Sequence, residues 1–338
     1  MLLDKYLIDH LKVLGKEVMR QAGLTTAPKN YDEMVHFFEV LKVAAEDKND
    51  VSANIIYQVL YTFVSSVEVR DRHASPRVFE DIFAAVFDTK SSDTASRKNP
   101  EIPKNIVKFD KYTTTEDWDI SADLSSNKRE KADVCFGEYL LSLKTLKGQQ
   151  VDKNGKTVDK SYNNEINVGS FSYRALFKGI LTAKEFKRLG DRKNGLGSRK
   201  QIRENVLDPI KNKGKGQKFL DRLRLFFGYV YEEDLLIVVK SDYRIGLYFI
   251  PNQTFVQVIC ALYERNEEAF QDVWNRWENN NLRFKFNKLL SYIKSYKLPY
   301  KKLVLDLTSF ENNHKIKNFN QTMNSVIEGE FRKLIEES

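Results

Sequence analysis

One stretch, KADVCFGEYLLSLKTLK at Lys131–Lys147, constrains this chain more than any other. Two apolar runs rich in β-formers flank Gly137-Glu138, a spacing that predicts a tight hairpin. Side chains alternate across a strand, so Leu140, Ser142 and Lys144 share one face while Tyr139, Leu141 and Leu143 share the other. A lysine in such a strand is costly to bury without a partner. Asp133, entering the first strand, is the candidate partner, and the two groups together could hold a metal and a phosphate.

The rest of the chain indicates what surrounds that hairpin. Helical stripes run through Tyr6, Leu7, Leu11, Leu14 and Val18, then Met34, Phe37, Phe38, Leu41 and Ala44, then Ile55, Ile56, Val59, Leu60 and Val64. His10 and His36 stand alone on these helices and read as packing or surface residues. A fourth helix opens with Ser75 as cap and Pro76 at its first position, and buries Phe79, Ile82, Phe83 and Val86. Residues 89–108, with Pro100 and Pro103, read as a loop. Next come Asp117, Asp119 and Asp123, rivals to Asp133 as metal ligands, with Trp118 among them.

Beyond the hairpin, DKNGKTVDKSYNN carries an Asn-Gly turn signal and reads as a small β-excursion. EINVGSFSYRALF runs into a helix, and QKFLDRLRLFF reads as an amphipathic one. DLLIVVK and YRIGLYFI read as neighbouring strands. A long stretch containing Trp274 and Trp277 reads as helical, and KLVLDLTSF as a last strand before a C-terminal helix. This order predicts an α/β fold: a mixed central β-sheet flanked by helices, with helical additions at both ends. The boundaries expected are 1–74 for an N-terminal helical region, 75–260 for the core and 261–338 for an extension packed on it.

Composition narrows the function classes. At 338 residues and 41% hydrophobic content the chain can bury a large core. No apolar run approaches the roughly 20 residues that span a bilayer, so no membrane association is expected. Asp4, Asp9 and His10 interrupt the N-terminal apolar periodicity, unlike a signal peptide. Cys135 and Cys260 are the only cysteines, which removes a thiolate zinc site and a disulfide framework. A soluble cytoplasmic protein is the expectation. No G-x-S-x-G elbow is present, and GLGSRK at 195–200 lacks the spacing of a phosphate-binding G-x4-G-K-[ST] loop.

Net charge is +8, and its distribution is uneven. Between Glu185 and Arg224 lie Arg192, Lys193, Arg199, Lys200, Lys213 and Lys215 among many basic residues, punctuated by glycines that suggest loops. Such a segment suits a polyanion, because each phosphate neutralised releases counterions; a solvated surface loop is the plainer alternative. Ser170, Tyr173 and Arg174, at an expected helix start, suit phosphate or base-edge contact, or ordinary capping.

The pattern Asp133, Ser142, Lys144 resembles the PD-(D/E)xK nuclease superfamily, whose type II restriction endonucleases are common at this size. Two departures stand out: Ala132 replaces the proline, and Ser142 occupies the place of the family's Glu or Asp. The resemblance implies Mg2+ held by Asp133, with either Glu80 on the preceding helix supplying the acid that Ser142 lacks or Ser142 holding a metal-bound water. Glu165 is a further displaced acid, and Glu80 also reads as a first-turn residue favoured by the helix dipole. Lys144 would contact the phosphate or orient the attacking water. Also implied are double-stranded DNA as substrate, a homodimer, and a cognate DNA methyltransferase in the same system. Two other classes stay open: a DNA-binding protein with a degenerate, inactive nuclease fold, and an interaction protein whose Asp133–Lys144 pair is a buried ion pair.

Overall fold

A computed structural model describes residues 5–47, 50–65, 75–89, 133–136, 139–147, 150–151, 157–159, 165–168, 174–177, 179–185, 199–225, 227, 234–240, 244–265, 267–278 and 281–307, with 325 and 328. Apolar residues at helical spacing build α1 (Lys5–Gln21), α2 (Tyr31–Ala44), α3 (Val51–Ser65) and α4 (Ser75–Val86). Asn30 caps α2 by accepting from the Glu33 N–H at 3.0 Å, while the Glu33 carboxylate accepts from Lys29 N at 2.8 Å. These reciprocal bonds satisfy donors that a bare helix start leaves open. Gly15 lets α1 press on α4: a Cβ there would stand 1.8 Å from the Val86 carbonyl oxygen.

Strands β1 (Val134–Phe136) and β2 (Tyr139–Lys147) form the expected hairpin, with Phe136 opposite Tyr139 and Val134 opposite Leu141. After it come β3 (Gln150–Val151) and β4 (Thr157–Asp159), a two-stranded excursion, then β5 (Glu165–Val168). Helix α5 (Arg174–Phe177) follows. Helix α6 (Arg199–Ile202) passes through a π turn at Arg203–Leu207 into α7 (Asp208–Asn212), and α8 (Gly216–Leu225) comes next. Further on lie β6 (Asp234–Lys240), β7 (Arg244–Ile250), α9 (Asn252–Arg265) and α10 (Glu267–Val273). The series ends with β8 (Trp274–Glu278), β9 (Asn281–Lys285), α11 (Phe286–Ser295) and β10 (Lys301–Asp306).

The central sheet runs β1-β2-β6-β7-β10 and is mixed: β2 and β6 are parallel, the other neighbours antiparallel. A second sheet, β5-β9-β8, is antiparallel. The pleat of the central sheet divides the interior in two. Leu141, Leu143, Leu236, Val238, Leu247 and Phe249 face α1–α4 in one core. Leu146, Leu235, Ile237 and Ile250 face α7, α8, α9, α11 and the second sheet in the other. The N-terminal helices thus form one layer over the sheet, and the described later helices with the second sheet form the opposite layer. Among the described residues no helix is long and apolar enough to cross a membrane.

Several expectations change. Tyr6 is exposed rather than buried in its stripe, its ring 4.1 Å from that of His10. Trp274 and Trp277 lie on β8 rather than on a helix, Trp274 filling the core against Phe270 and Phe284. The later half of the basic segment is helical, not loop, because Ile202, Val206, Leu207 and Ile210 form an apolar stripe that buries. Residue 260 falls inside α9, and β10, from beyond it, completes the central sheet. Residues 308–324 and 329–338, where a C-terminal helix is expected, lie outside the described residues.

Candidate active site

The hairpin register places Asp133 beside Ser142, with the Asp133 N–H donating to the Leu141 carbonyl at 3.1 Å. Three donors from β2 converge on one carboxylate oxygen, Asp133 Oδ2. They are Ser142 Oγ at 3.0 Å, the Leu143 N–H at 2.7 Å and Lys144 Nζ at 2.7 Å. Ser142 is 1% exposed, and the Asp133 and Lys144 side chains are 23% and 21% exposed. The pair therefore sits at the rim of the core, where water reaches it but screens it incompletely. Asp133 Oδ1 accepts no hydrogen bond among the described residues and remains available as a hard oxygen ligand.

Glu80 is half-buried on α4. That helix packs on the face of β2 carrying Leu141 and Leu143, whereas Ser142 and Lys144 project from the opposite face. Glu80 is thus on a helix that covers the face of β2 opposite Lys144. Glu165, on β5, lies on the Lys144 side of the sheet but is ion-paired with Arg283 at 3.3 Å. Asp117, Asp119 and Asp123 lie outside the described residues. Among the described residues no group of three or more His, Cys, Asp or Glu gathers to hold a metal.

The residues expected to touch DNA divide. Ser170, Tyr173, Arg192 and Lys193 lie outside the described residues, and Arg174 and Arg199 are placed only as the first residues of α5 and α6. Lys200 is exposed and 3.7 Å from Glu204, one turn on. Lys213 bonds Glu185, and with the Thr182 N–H and hydroxyl it pushes the Glu185 carboxyl down to about 2. Lys215 donates to the Gly179 carbonyl at 2.9 Å. A Cβ on Gly179 would stand 3.9 Å from the buried Arg222 and 4.0 Å from Lys218 Nζ. Much of this positive charge therefore ties the 179–185 turn to α7 and α8.

One half-buried carboxyl carried no functional signal in the sequence. Asp234 opens β6 opposite Leu141 of β2 and accepts from Asn252 N at 2.8 Å, holding the start of α9. Burial pushes its carboxyl up, against the pull of that N–H. Burial, and then the Asp234 charge, also push the Tyr139 hydroxyl well above its ordinary range. Tyr139 and Asp234 lie on the sheet face away from Lys144, so this group braces β2 from behind. Comparison with protein-family models, with curated proteins and with solved structures finds no match to this chain.

Proposed function

We propose that this chain is a Mg2+-dependent endonuclease of double-stranded DNA, of the type II restriction kind, built on a PD-(D/E)xK-like core. The observation that carries the reading is the convergence of Ser142, Leu143 N and Lys144 on Asp133 Oδ2, at the rim of a mixed sheet. If Lys144 swings away, two neutral donors still hold the carboxylate in place. The Lys144 ammonium, on a flexible four-carbon stem, would then turn to a phosphate oxygen or orient the attacking water. The Asp133 carboxylate fits the ion in part, offering Oδ1 as a hard oxygen ligand; a second acid is needed to complete the set, and Glu80, on the helix behind the sheet, would have to be brought to it. When bound, the ion would lower the pKa of water and neutralise phosphate charge. Cutting both strands suits a homodimer, and protection of the host's own DNA requires a cognate methyltransferase.

A second reading is favoured by one observation: Ser142, where the family has an acid, supplies a hydroxyl that is already spent on Asp133. That fits a DNA-binding protein with an inactive nuclease fold. Digestion of unmethylated phage DNA by wild type and Lys144→Ala, with magnesium and with chelator, separates the two. Discrete fragments from wild type in magnesium alone support the restriction nuclease. Salt-sensitive DNA binding without cleavage under any divalent ion sinks it in favour of the inactive fold.

A further inference from the structure

Residues 279–305 hold Arg283, Lys285, Lys288, Lys294, Lys297, Lys301 and Lys302 and not one Asp or Glu. The density peaks in KSYKLPYKK, Lys294–Lys302, which joins α11 to β10. Arg283 pairs with Glu165 at 3.3 Å, Lys288 with Asp272 at 3.4 Å and Lys301 with Glu39 at 2.5 Å. Lys294 and Lys297 are exposed, and their ammonium groups meet no carboxylate among the described residues. Lys302 is exposed too, its ammonium lying 5.5 Å from the centre of the Tyr248 ring.

The backbone singles out Lys297. Among the described residues four helix ends close in the same way: α1 at Gly23, α4 at Asp88, α7 at Gly214 and α11 at Lys297. In each, the named residue is left-handed, with φ of 68°, 51°, 63° and 54° respectively. Glycine is the usual occupant of this position because a Cβ crowds the backbone there. Gly23 and Gly214 obey the rule. Asp88 breaks it, and its carboxylate binds Lys12 at 3.2 Å and Lys16 at 2.9 Å. Lys297 breaks it as well, yet its side chain does nothing within the described chain. A strained backbone kept for an outward-pointing charge indicates a partner outside the molecule.

We propose that Lys294, Lys297 and Lys302 form a docking surface for the phosphate backbone of duplex DNA. The choice of DNA among polyanions rests on the nuclease reading above. Placement supports it: Lys144, Ile237, Tyr248 and Lys302 occupy one register row across the central sheet, on one face. Lys302 thus lies three strand spacings, roughly 14 Å, from the Lys144 strand. A duplex reaching the hairpin would have this cationic strip within its span.

The test measures duplex affinity against salt concentration, in chelator so that no cutting occurs, for wild type, Lys297→Gly and the triple variant Lys294→Ala/Lys297→Gly/Lys302→Ala. Each lysine lost should lower the slope of log affinity against log salt by about 0.9. The triple variant should therefore lose about 2.7 from the slope and at least tenfold in affinity near physiological salt. Lys297→Gly should lose its share of the slope while its thermal midpoint rises, because glycine relieves the left-handed strain. The proposal is overturned by an unchanged slope in the triple variant, or by a fall in the Lys297→Gly midpoint that accompanies lost affinity. It is equally overturned if wild type binds no duplex or prefers anionic vesicles. A parallel cleavage assay in magnesium keeps the two ideas apart. Cutting with unaltered binding in the triple variant removes the surface alone, and lysine-dependent binding without cutting removes the nuclease alone.

Discussion

Asp133 and Lys144 should be energetically coupled, and the size of the coupling follows from their surroundings. Surface ion pairs contribute about 0.2–1 kcal/mol, while breaking a fully buried pair costs about 3–5 kcal/mol. With side chains 23% and 21% exposed, this pair lies between those limits. Lys144→Met keeps most of the apolar stem and leaves Asp133 with two donors, so it should cost about 1–2 kcal/mol. Asp133→Ala deserts Ser142 Oγ and the Leu143 N–H at about 1 kcal/mol each, and removes the carboxylate from the Lys144 ammonium as well, so about 2–3 kcal/mol is expected. The double variant removes the charge pair together, and its cost should fall short of the sum by about 1–2 kcal/mol. Urea denaturation of the four proteins, in chelator, measures this directly. A coupling below about 0.3 kcal/mol would refute the reasoning, because the lysine would then not be bonded to Asp133 in solution.

Three further outcomes are expected. Asp234→Asn keeps an acceptor for Asn252 N and should raise the thermal midpoint at neutral pH. The folded state holds the Asp234 proton more tightly than the unfolded chain does, so its ionisation weakens the fold as pH rises from about 3.9 through the raised folded value. The gain should shrink at pH 3, and a gain independent of pH would contradict the sign. Gly15→Ala drives a methyl group into the Val86 carbonyl at 1.8 Å; despite better helix propensity it should lose about 3 kcal/mol or more, and a stabilised variant in urea would dismiss the α1–α4 contact. Ser142→Asp sets a second carboxylate beside Asp133, so it should melt lower in chelator and recover in millimolar magnesium. Absence of recovery would remove Asp133 as a metal ligand.

The hairpin was legible because both of its signals are local: a two-residue turn and a period of two, which fix register and face together. The same logic puts Ser142 and Lys144 on one side and Asp133 within reach of both. The second acid was not legible. Whether Glu80 reaches the site depends on which face of β2 the α4 helix covers, and no local pattern encodes that. The basic segment misled for a related reason, since charge density does not say which cations are already engaged. Lys213 and Lys215 serve the 179–185 turn, whereas Lys297 is visible as unusual only once its φ of 54° is known. Trp274 looked helical because α10 runs directly into β8 with no turn signal between them.

The order β1-β2-β6-β7-β10 has a quaternary consequence. Among the described residues, one rim of the sheet is a three-residue strand, and the other carries the exposed Lys301 and Lys302. Short or lysine-bearing rims discourage continuation of a sheet into another chain. A second subunit, if cleavage of both strands requires one, would therefore pair through helical or loop surfaces and not by extending the hydrogen-bonded ladder. The separation of two reactive hairpins, and with it the stagger of the cuts, would then be set by how helices meet across the twofold axis.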